Sequence, residues 1–437
     1  MNLPDRYKFL ILLCLILTSL HSVRLFAQQN DEIRFITIAD IHFDPFLACY
    51  QEKIKPCPLI ERLRRLPVWQ WSPILKQYDR IPPAYRFNTN YPLFASFLVA
   101  AKQIAEQKDA QFVLVLGDFI GHDYQEYYRQ YTMDYSKTGY QSFFNKTFEY
   151  VTYELTHAFP NVSIFPVIGN NDSYDGNYTF YSNGKFYNDL QNVWITLIKD
   201  KTNRVRMAST FPIDGYYAVD IQPDLRLIVL NTVLFSDKAV GRRTNQAAWK
   251  ELDWFHDQLA LAQAKQQKVM IAMHIPPGID IYASLEFRLF RLLDLWKLNY
   301  TKRFEAELRQ FAPEILGVFA GHLHTDWFQI LTLSHVHRIP ITGTPSISPI
   351  YGNNPGFKLY TYSPISERFT RFETYTYAID THHLWKRESY QDKNLHHRFS
   401  KHDFNLALLR IVPYPASTQC DTTWRPSLSL FCFYCVR

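Results

Sequence analysis

The stretch Ile315-Leu-Gly-Val-Phe-Ala320, running into Gly321-His322-Leu323-His324, decides how this chain is read. An apolar run of that length and composition predicts a buried strand, and Gly321 lets the backbone turn at its end. Histidines at i and i+2 share a side of an extended chain but can be aimed differently once the turn begins. Such a pair is by itself more often ordinary hydrogen-bonded structure than a metal site. It gains meaning because other predicted strands of this chain end in the same kinds of residue.

Working outward, Arg34-Phe-Ile-Thr-Ile-Ala39 ends in Asp40-Ile41-His42, and Phe112-Val-Leu-Val-Leu116 ends in Gly117-Asp118, with His122 four residues on. Val162-Ser-Ile-Phe-Pro-Val-Ile168 ends in Gly169-Asn170-Asn171-Asp172, and Val269-Met-Ile-Ala-Met273 ends at His274, where Pro276 and Pro277 stop the strand. Leu225-Arg-Leu-Ile-Val-Leu230 reads as a further strand. Between these runs lie helical patterns: Leu93, Phe97, Ala100, Ala101 and Ile104; residues 143–159; Trp249, Leu252, Phe255, Leu259 and Ala262; and residues 284–312. Strand, helix, strand in this order predicts parallel strands with sites at their carboxyl ends. Collected, those ends supply Asp40, His42, Asp118, Asn170, His274, His322 and His324. This O/N set fits two divalent ions sharing one carboxylate, and Asp118, the carboxylate on a central strand end, is the natural bridge. Imidazole with carboxylate favours zinc, with iron or manganese as alternatives, over calcium.

Asp40-Ile-His42, Gly117-Asp118, Gly169-Asn170, His274 and Gly321-His-Leu-His324 resemble, in order, the motifs of the calcineurin-like metallophosphoesterase superfamily. Asp40-Ile-His-Phe-Asp44, Gly117-Asp118 with His122-Asp123, and Thr344-Pro-Ser with Asn354-Pro-Gly-Phe357 are most similar to its acid sphingomyelinase-like phosphodiesterases. The likeness spans residues 34 to 362. It implies an α/β fold, a four-layer α/β/β/α sandwich with mixed sheets. It also implies one metal held by Asp40, His42, Asp118 and His324, and a second held by Asp118, Asn170, His274 and His322. Such ions clamp a phosphate and acidify a bridging water, which attacks phosphorus in line. The chain departs from much of the family after the ligand asparagine, where Asn171 stands in place of a histidine. His122 then becomes the candidate proton donor, with a structural role beside the metals as its alternative, and Asn171 a candidate for bonding a phosphate oxygen.

Bulk properties agree. Of 437 residues, 47% are hydrophobic and 16% aromatic, which supplies an ample core and excludes disorder as the default. A net charge of +6 without a dense Lys/Arg stripe excludes nucleic-acid binding as a primary expectation. Arg6 and Lys8 precede an apolar run at 9–17, and Leu25-Phe-Ala27 offers a cleavage point, the layout of a secretory signal peptide over 1–27. Arg24 keeps an uncleaved membrane anchor as the alternative. Export permits disulfides; Cys49–Cys57 is the obvious local pair. Cys420, Cys432 and Cys435 could pair among themselves or, for the last two, bind zinc. Residues 28–362 are assigned to the catalytic domain and 363–437 to a small C-terminal extension. Phe357–Tyr362 and Phe369–Tyr377 are expected to form an antiparallel pair. Residues 45–89 read as an ordered loop excursion and, with 120–145, as substrate-side loops. The expected activity is secreted, dinuclear-metal phosphodiester or phosphoanhydride hydrolysis on a sphingomyelin-like, choline-type or nucleotide substrate, with peripheral membrane contact left open. The alternatives are a phosphomonoesterase, an endopolyphosphatase, or a non-catalytic phosphate- or lipid-binding relative.

Overall fold

Runs rich in β-branched and aromatic residues become strands here, as their side chains favour a pleated, buried surface. In chain order they are β1 (Ile33–Ile38), β2 (Phe112–Val115), β3 (Ser163–Pro166), β4 (Tyr217–Gln222), β5 (Leu225–Val229), β6 (Lys268–Ala272), β7 (Ile315–Ala320), β8 (Trp327–Thr332), β9 (Arg338–Gly343), β10 (Gly356–Ser363), β11 (Arg368–Tyr377) and β12 (Trp385–Gln391). The computed structural model describes residues 32–50, 54–280, 284, 293–333, 337–380 and 384–391. Among these residues the strands form two six-stranded sheets, ordered β12-β11-β10-β1-β2-β3 and β4-β5-β6-β7-β9-β8. β1, β2 and β3 run parallel, as do β5, β6, β7 and β9, while the remaining pairings are antiparallel. Both sheets are therefore mixed, as expected.

The sheets meet through aromatic side chains. Phe35 of β1 stacks on Phe112 of β2 at 4.7 Å and receives the edge of Phe319 of β7 at 5.2 Å. Phe319 also packs edge-on against Tyr360 of β10 and Phe369 of β11. Offset and edge-to-face rings add directional preference to the burial of large apolar area, so this cluster sets how β7 lies against β1. Helix Tyr91–Lys108, capped by the Asn90 side chain on the Leu93 N–H, packs on β1; helix Thr244–Ala264 packs on β5 and β6. Each sheet thus has a helix on its outer side, giving the α/β/β/α layering.

Several expectations are corrected. Residues 45–89 hold two short helices, Pro58–Arg65 and Trp71–Tyr78, and Trp71 is buried with its Nε1–H donated to Leu63 O at 3.1 Å. Eight-residue helices carry too few turns to show periodicity, and the prolines that mark loops also suit a first helical turn. Residues 120–145 contain helix Tyr124–Thr132 and the start of helix Lys137–Ala158, with Tyr124, Tyr128, Tyr140 and Phe143 buried, so this segment is largely packed body. Of the helical pattern over 284–312, the described residues show Ser284 in helical conformation and a helix over Leu298–Gln310, and residues 285–292 lie outside the description. β4, β8, β9 and β12 had no expectation. The expected hairpin is present as β10 and β11, so the boundary at 362/363 cuts through the last residues of β10 and parts it from its partner strand. Cys49 and Cys57 form a disulfide. The signal-peptide segment and the C-terminal cysteines lie outside the described residues.

One buried charge crosses toward the site. Lys358 of β10 is buried, and its Nζ donates to Asp326 Oδ1 at 2.5 Å and Gly343 O at 2.9 Å, two residues beyond His324 and at the end of β9. Removing one partner of a buried pair costs ~3–5 kcal/mol when the other is left without solvent. Asp326 is partly solvated and keeps the Thr374 hydroxyl. Lys358→Met is therefore expected to destabilise the protein by about 2 kcal/mol, read as a lower urea midpoint at unchanged slope.

Candidate metal centre

The carboxyl ends of β1, β2, β3, β6 and β7 converge because main-chain hydrogen bonds lace them together. Asp40 N donates to Gly117 O at 3.0 Å, and Gly321 N to His274 O at 3.1 Å. Across the sheets, His274 Nδ1 sits 2.7 Å from Leu116 O. Past each strand the chain turns abruptly. Asp40, His42, Asp118, His322 and His324 adopt left-handed φ of 51°, 44°, 55°, 70° and 57°. Such conformations cost non-glycine residues ~1–3 kcal/mol apiece and persist only where the surroundings over-determine them. Gly169 makes the closest approach, since a Cβ there would lie 2.1 Å from Asp118 Oδ1 and 2.2 Å from its backbone nitrogen.

The side chains meet lone pair to lone pair. A carbonyl only accepts, so Leu116 O places the proton of neutral His274 on Nδ1 and leaves Nε2 bare. That bare nitrogen faces Asn170 Oδ1 at 2.9 Å and Asp118 Oδ2 at 3.4 Å. His42 repeats the arrangement: Nδ1 faces Ile120 O at 3.1 Å, and Nε2 faces Asp118 Oδ2 at 3.4 Å, Asp40 Oδ1 at 3.8 Å and His324 Nε2 at 3.2 Å. His324 Nε2 lies 3.4 Å from Asp40 Oδ1. Acceptors aimed at acceptors in a buried site repel unless a cation sits among them. The donor set therefore fits divalent metal.

The electrostatics point the same way. Burial alone would lower the pKa of His274, but the Asp118 carboxylate outweighs it and pushes the value up to about 9. Burial works against ionised Asp40 too, yet His324 and its neighbours hold that carboxyl well below the ordinary range. His322 goes the other way, lowered to about 3 by burial and by the neighbouring His274. The cavity demands positive charge at some positions and refuses further protons at others.

Ligand atoms of Asp40, His42 and His324 lie within 4.8 Å of one another, as do those of Asp40, Asp118 and His274. Asp118 Oδ2 stands equally far from the two histidines, 3.4 Å each way, the placement of a shared ligand. Asn170 joins the His274 side, its own amide held by Asn177 Oδ1 at 2.6 Å. His322 stands beside that side: its ring is 5.1 Å from that of His274, its backbone N–H donates to Asp40 Oδ2, and its Nε2 is 3.3 Å from the Tyr178 hydroxyl. Its Nδ1 is then the atom left for an ion. His122 stacks on His42 with ring centroids 4.2 Å apart. Asn171 is committed to Asp118: its backbone N–H reaches Oδ1 and its Nδ2 reaches Oδ2, both at 2.8 Å. The sequence reading missed Asp172, which accepts the N–H groups of Asp118, Phe119 and Gly169 and so holds the bridge from behind. Its place next to Asn170-Asn171 was the available signal. It also missed Tyr178 and Tyr351, the latter set edge-on to the His324 ring with centroids 4.7 Å apart, because no motif marks them.

Fold and cluster together define a class: an α/β sandwich with a buried imidazole–carboxylate centre suited to metal ions. The chain belongs to the calcineurin-like phosphoesterase family, which matches residues 33–326. Its relatives include the sphingomyelinase phosphodiesterase D of Dictyostelium discoideum, 32% identical over 51% of this chain and 49% of that protein. The human cyclic GMP-AMP phosphodiesterase SMPDL3A is 26% identical over 49% of this chain and 47% of that one. The human acid sphingomyelinase-like phosphodiesterase 3b is 22% identical over 75% and 67%. The chain spans about half the length of the first two. Among solved structures, a dimetal phosphatase from Danio rerio covers 82% of this chain and 98% of its own at 14% identity and a TM-score of 0.45.

Two outcomes test the centre. Gly169→Ala should displace Asp118 and lower the metal bound per chain, measured by elemental analysis on folded protein. In metal-stripped protein, His274 rises from the ordinary 6.5 to about 9 on folding. Its contribution is complete below pH 6.5 and is lost as pH rises through 9. Thermal unfolding of the stripped protein should therefore show stability falling across that window, and His274→Gln should remove the fall.

Proposed function

We propose that the chain is a dinuclear-metal phosphodiesterase, exported by its N-terminal apolar run, with zinc as the favoured ion. The observation that carries this reading is Asp118 Oδ2 at 3.4 Å from both His42 and His274, one carboxylate oxygen between two histidine-bearing sets. When bound, the two ions supply Lewis acidity toward a phosphoryl oxygen and a water. The chain's own residues do the rest. Asp172 and Asn171 hold Asp118 in place, and Tyr178 orients His322. His122, next to the cluster, supplies the proton that the leaving oxygen takes. Tyr178 and Tyr351, beside the candidate ligands, are rings without charge, which suits a singly charged diester better than a dianionic monoester. Aromatic faces of this kind take either a nucleobase by stacking or a choline by cation–π attraction. The names of the relatives, cyclic GMP-AMP and sphingomyelin phosphodiesterases, support the same substrate classes.

Metal-loaded protein is expected to turn over bis-p-nitrophenyl phosphate faster than p-nitrophenyl phosphate, and to accept a cyclic dinucleotide or sphingomyelin in a panel. Chelation should abolish turnover. Asp118→Asn should leave less than about a thousandth of the rate, a loss of ~4 kcal/mol in transition-state stabilisation. Full metal occupancy without turnover would replace the enzyme reading by a binding one; preference for the monoester would make the chain a phosphomonoesterase.

A further inference from the structure

Behind His122 lies a buried polar chain that the metal ligands do not use. Asn88, only 6% exposed, stands between Asp44 and His122. Its Nδ2 is 3.1 Å from Asp44 Oδ2, while its Oδ1 is 3.3 Å from the backbone nitrogen of His122 and 3.0 Å from His122 Nδ1. The backbone N–H can only donate, so the amide atom it meets is the oxygen. The imidazole nitrogen facing that same oxygen must then carry its proton on Nδ1. Asp44, fully buried, secures the amide from the far side and is itself held by the Phe46 N–H at 2.8 Å.

The main chain reserves this place. Asp44 N donates to Thr89 O, Thr89 N to His42 O, and Gly121 N to Phe43 O, so the segments bearing Asp44, Asn88 and His122 form one laced unit. A side chain at Gly121 would lie 3.0 Å from Asn88 Nδ2 and 3.1 Å from Asp44 Cβ. His42 lies over the ring face at an interplanar angle of 18°, so the imidazole is held in its plane by Asn88 and across it by a ligand.

We propose that Asn88, secured by Asp44, is a positioning residue that locks His122 with Nδ1 inward and presents Nε2 to the leaving oxygen. This rests on the phosphodiesterase reading of the site. In its donor state His122 carries protons on both nitrogens. As the bond from phosphorus to the leaving oxygen breaks, the Nε2 proton passes to that oxygen and the Nδ1 proton stays hydrogen-bonded to Asn88 Oδ1. The new bond to phosphorus comes from water, whose proton goes to solvent, and His122 is reprotonated from solvent. Asn88 forms and breaks no bond; it keeps the ring from turning its proton away.

A double-mutant cycle of Asn88→Ala and His122→Ala in the metal-loaded full chain tests this, with glycerophosphocholine as the poor alkoxide leaving group and bis-p-nitrophenyl phosphate as the good one. Asn88→Ala should lower the alkyl-to-aryl ratio of kcat by about tenfold, as loss of an aligned acid does, with KM and metal content unchanged. In the His122→Ala background it should cause no further loss. The exchange Asp44→Asn with Asn88→Asp keeps every hydrogen bond of the chain and should restore the ratio. An equal loss on both substrates, or an undiminished loss without His122, overturns the role of Asn88. If His122→Ala itself leaves the ratio unchanged, the donor assignment beneath it falls and the proposal with it.

Discussion

The structure depends on one constraint: Asp40 and Asp118, two carboxylates, are buried within a few ångströms of imidazole Nε2 atoms left bare because backbone carbonyls accept from the Nδ1–H groups of His42 and His274. Burying an ion costs several kcal/mol, and the cost is recovered only by compensating charge and complete hydrogen bonding. Every nearby feature serves that recovery. Asn171 and Asp172 bond to the Asp118 segment, the His322 N–H bonds to Asp40, and the remaining lone pairs converge on space suited to cations.

Convergence of this kind needs a frame stiff enough to hold like-signed atoms together. The sheets provide it through parallel strands that end at the same level and through the aromatic contact of Phe35 with Phe319, which couples β1 to β7 in the middle of the core. The left-handed turns at five of the ligand positions follow from this. On a continuing strand Asp40 and His42, or His322 and His324, would share a side but stand roughly 6.6 Å apart along the chain, whereas the left-handed turns re-aim them, so that His42 Nε2 comes within 3.8 Å of Asp40 Oδ1. Backbone strain there is the counterpart of ligand geometry, held in place by the hydrogen bonds between strand ends.

The cavity wall is divided by chemistry. On one side the Asp44–Asn88–His122 chain fixes a ring beside the ligands, and on another Tyr178 meets His322 while Tyr351 edges toward His324. Polar positioning behind the imidazole and uncharged rings beside the candidate ligands are what the diester reading proposed above draws on. The helices of residues 58–78 and 124–158 stand behind this wall as packed structure, with Trp71, Tyr128 and Phe143 in the core.

The amino-acid sequence alone determined the strands that end in ligands, since an apolar run stopping at Gly-Asp, Gly-Asn or Gly-His is a local pattern. Histidine and carboxylate at those ends offered the candidate donor set as well, and the structure brings those residues together. The sequence could not determine which residues stand behind the ligands: Asn88 is 34 residues from His122, and Asp172 supports Asp118 across a gap of 54. Short helices such as Pro58–Arg65 escaped for a different reason, having too few turns to display a period. The tertiary structure decided the tautomers of His42, His274 and His122, because a ring's proton is placed by whichever carbonyl or amide oxygen the fold brings to it, and that partner comes from a distant strand end or loop.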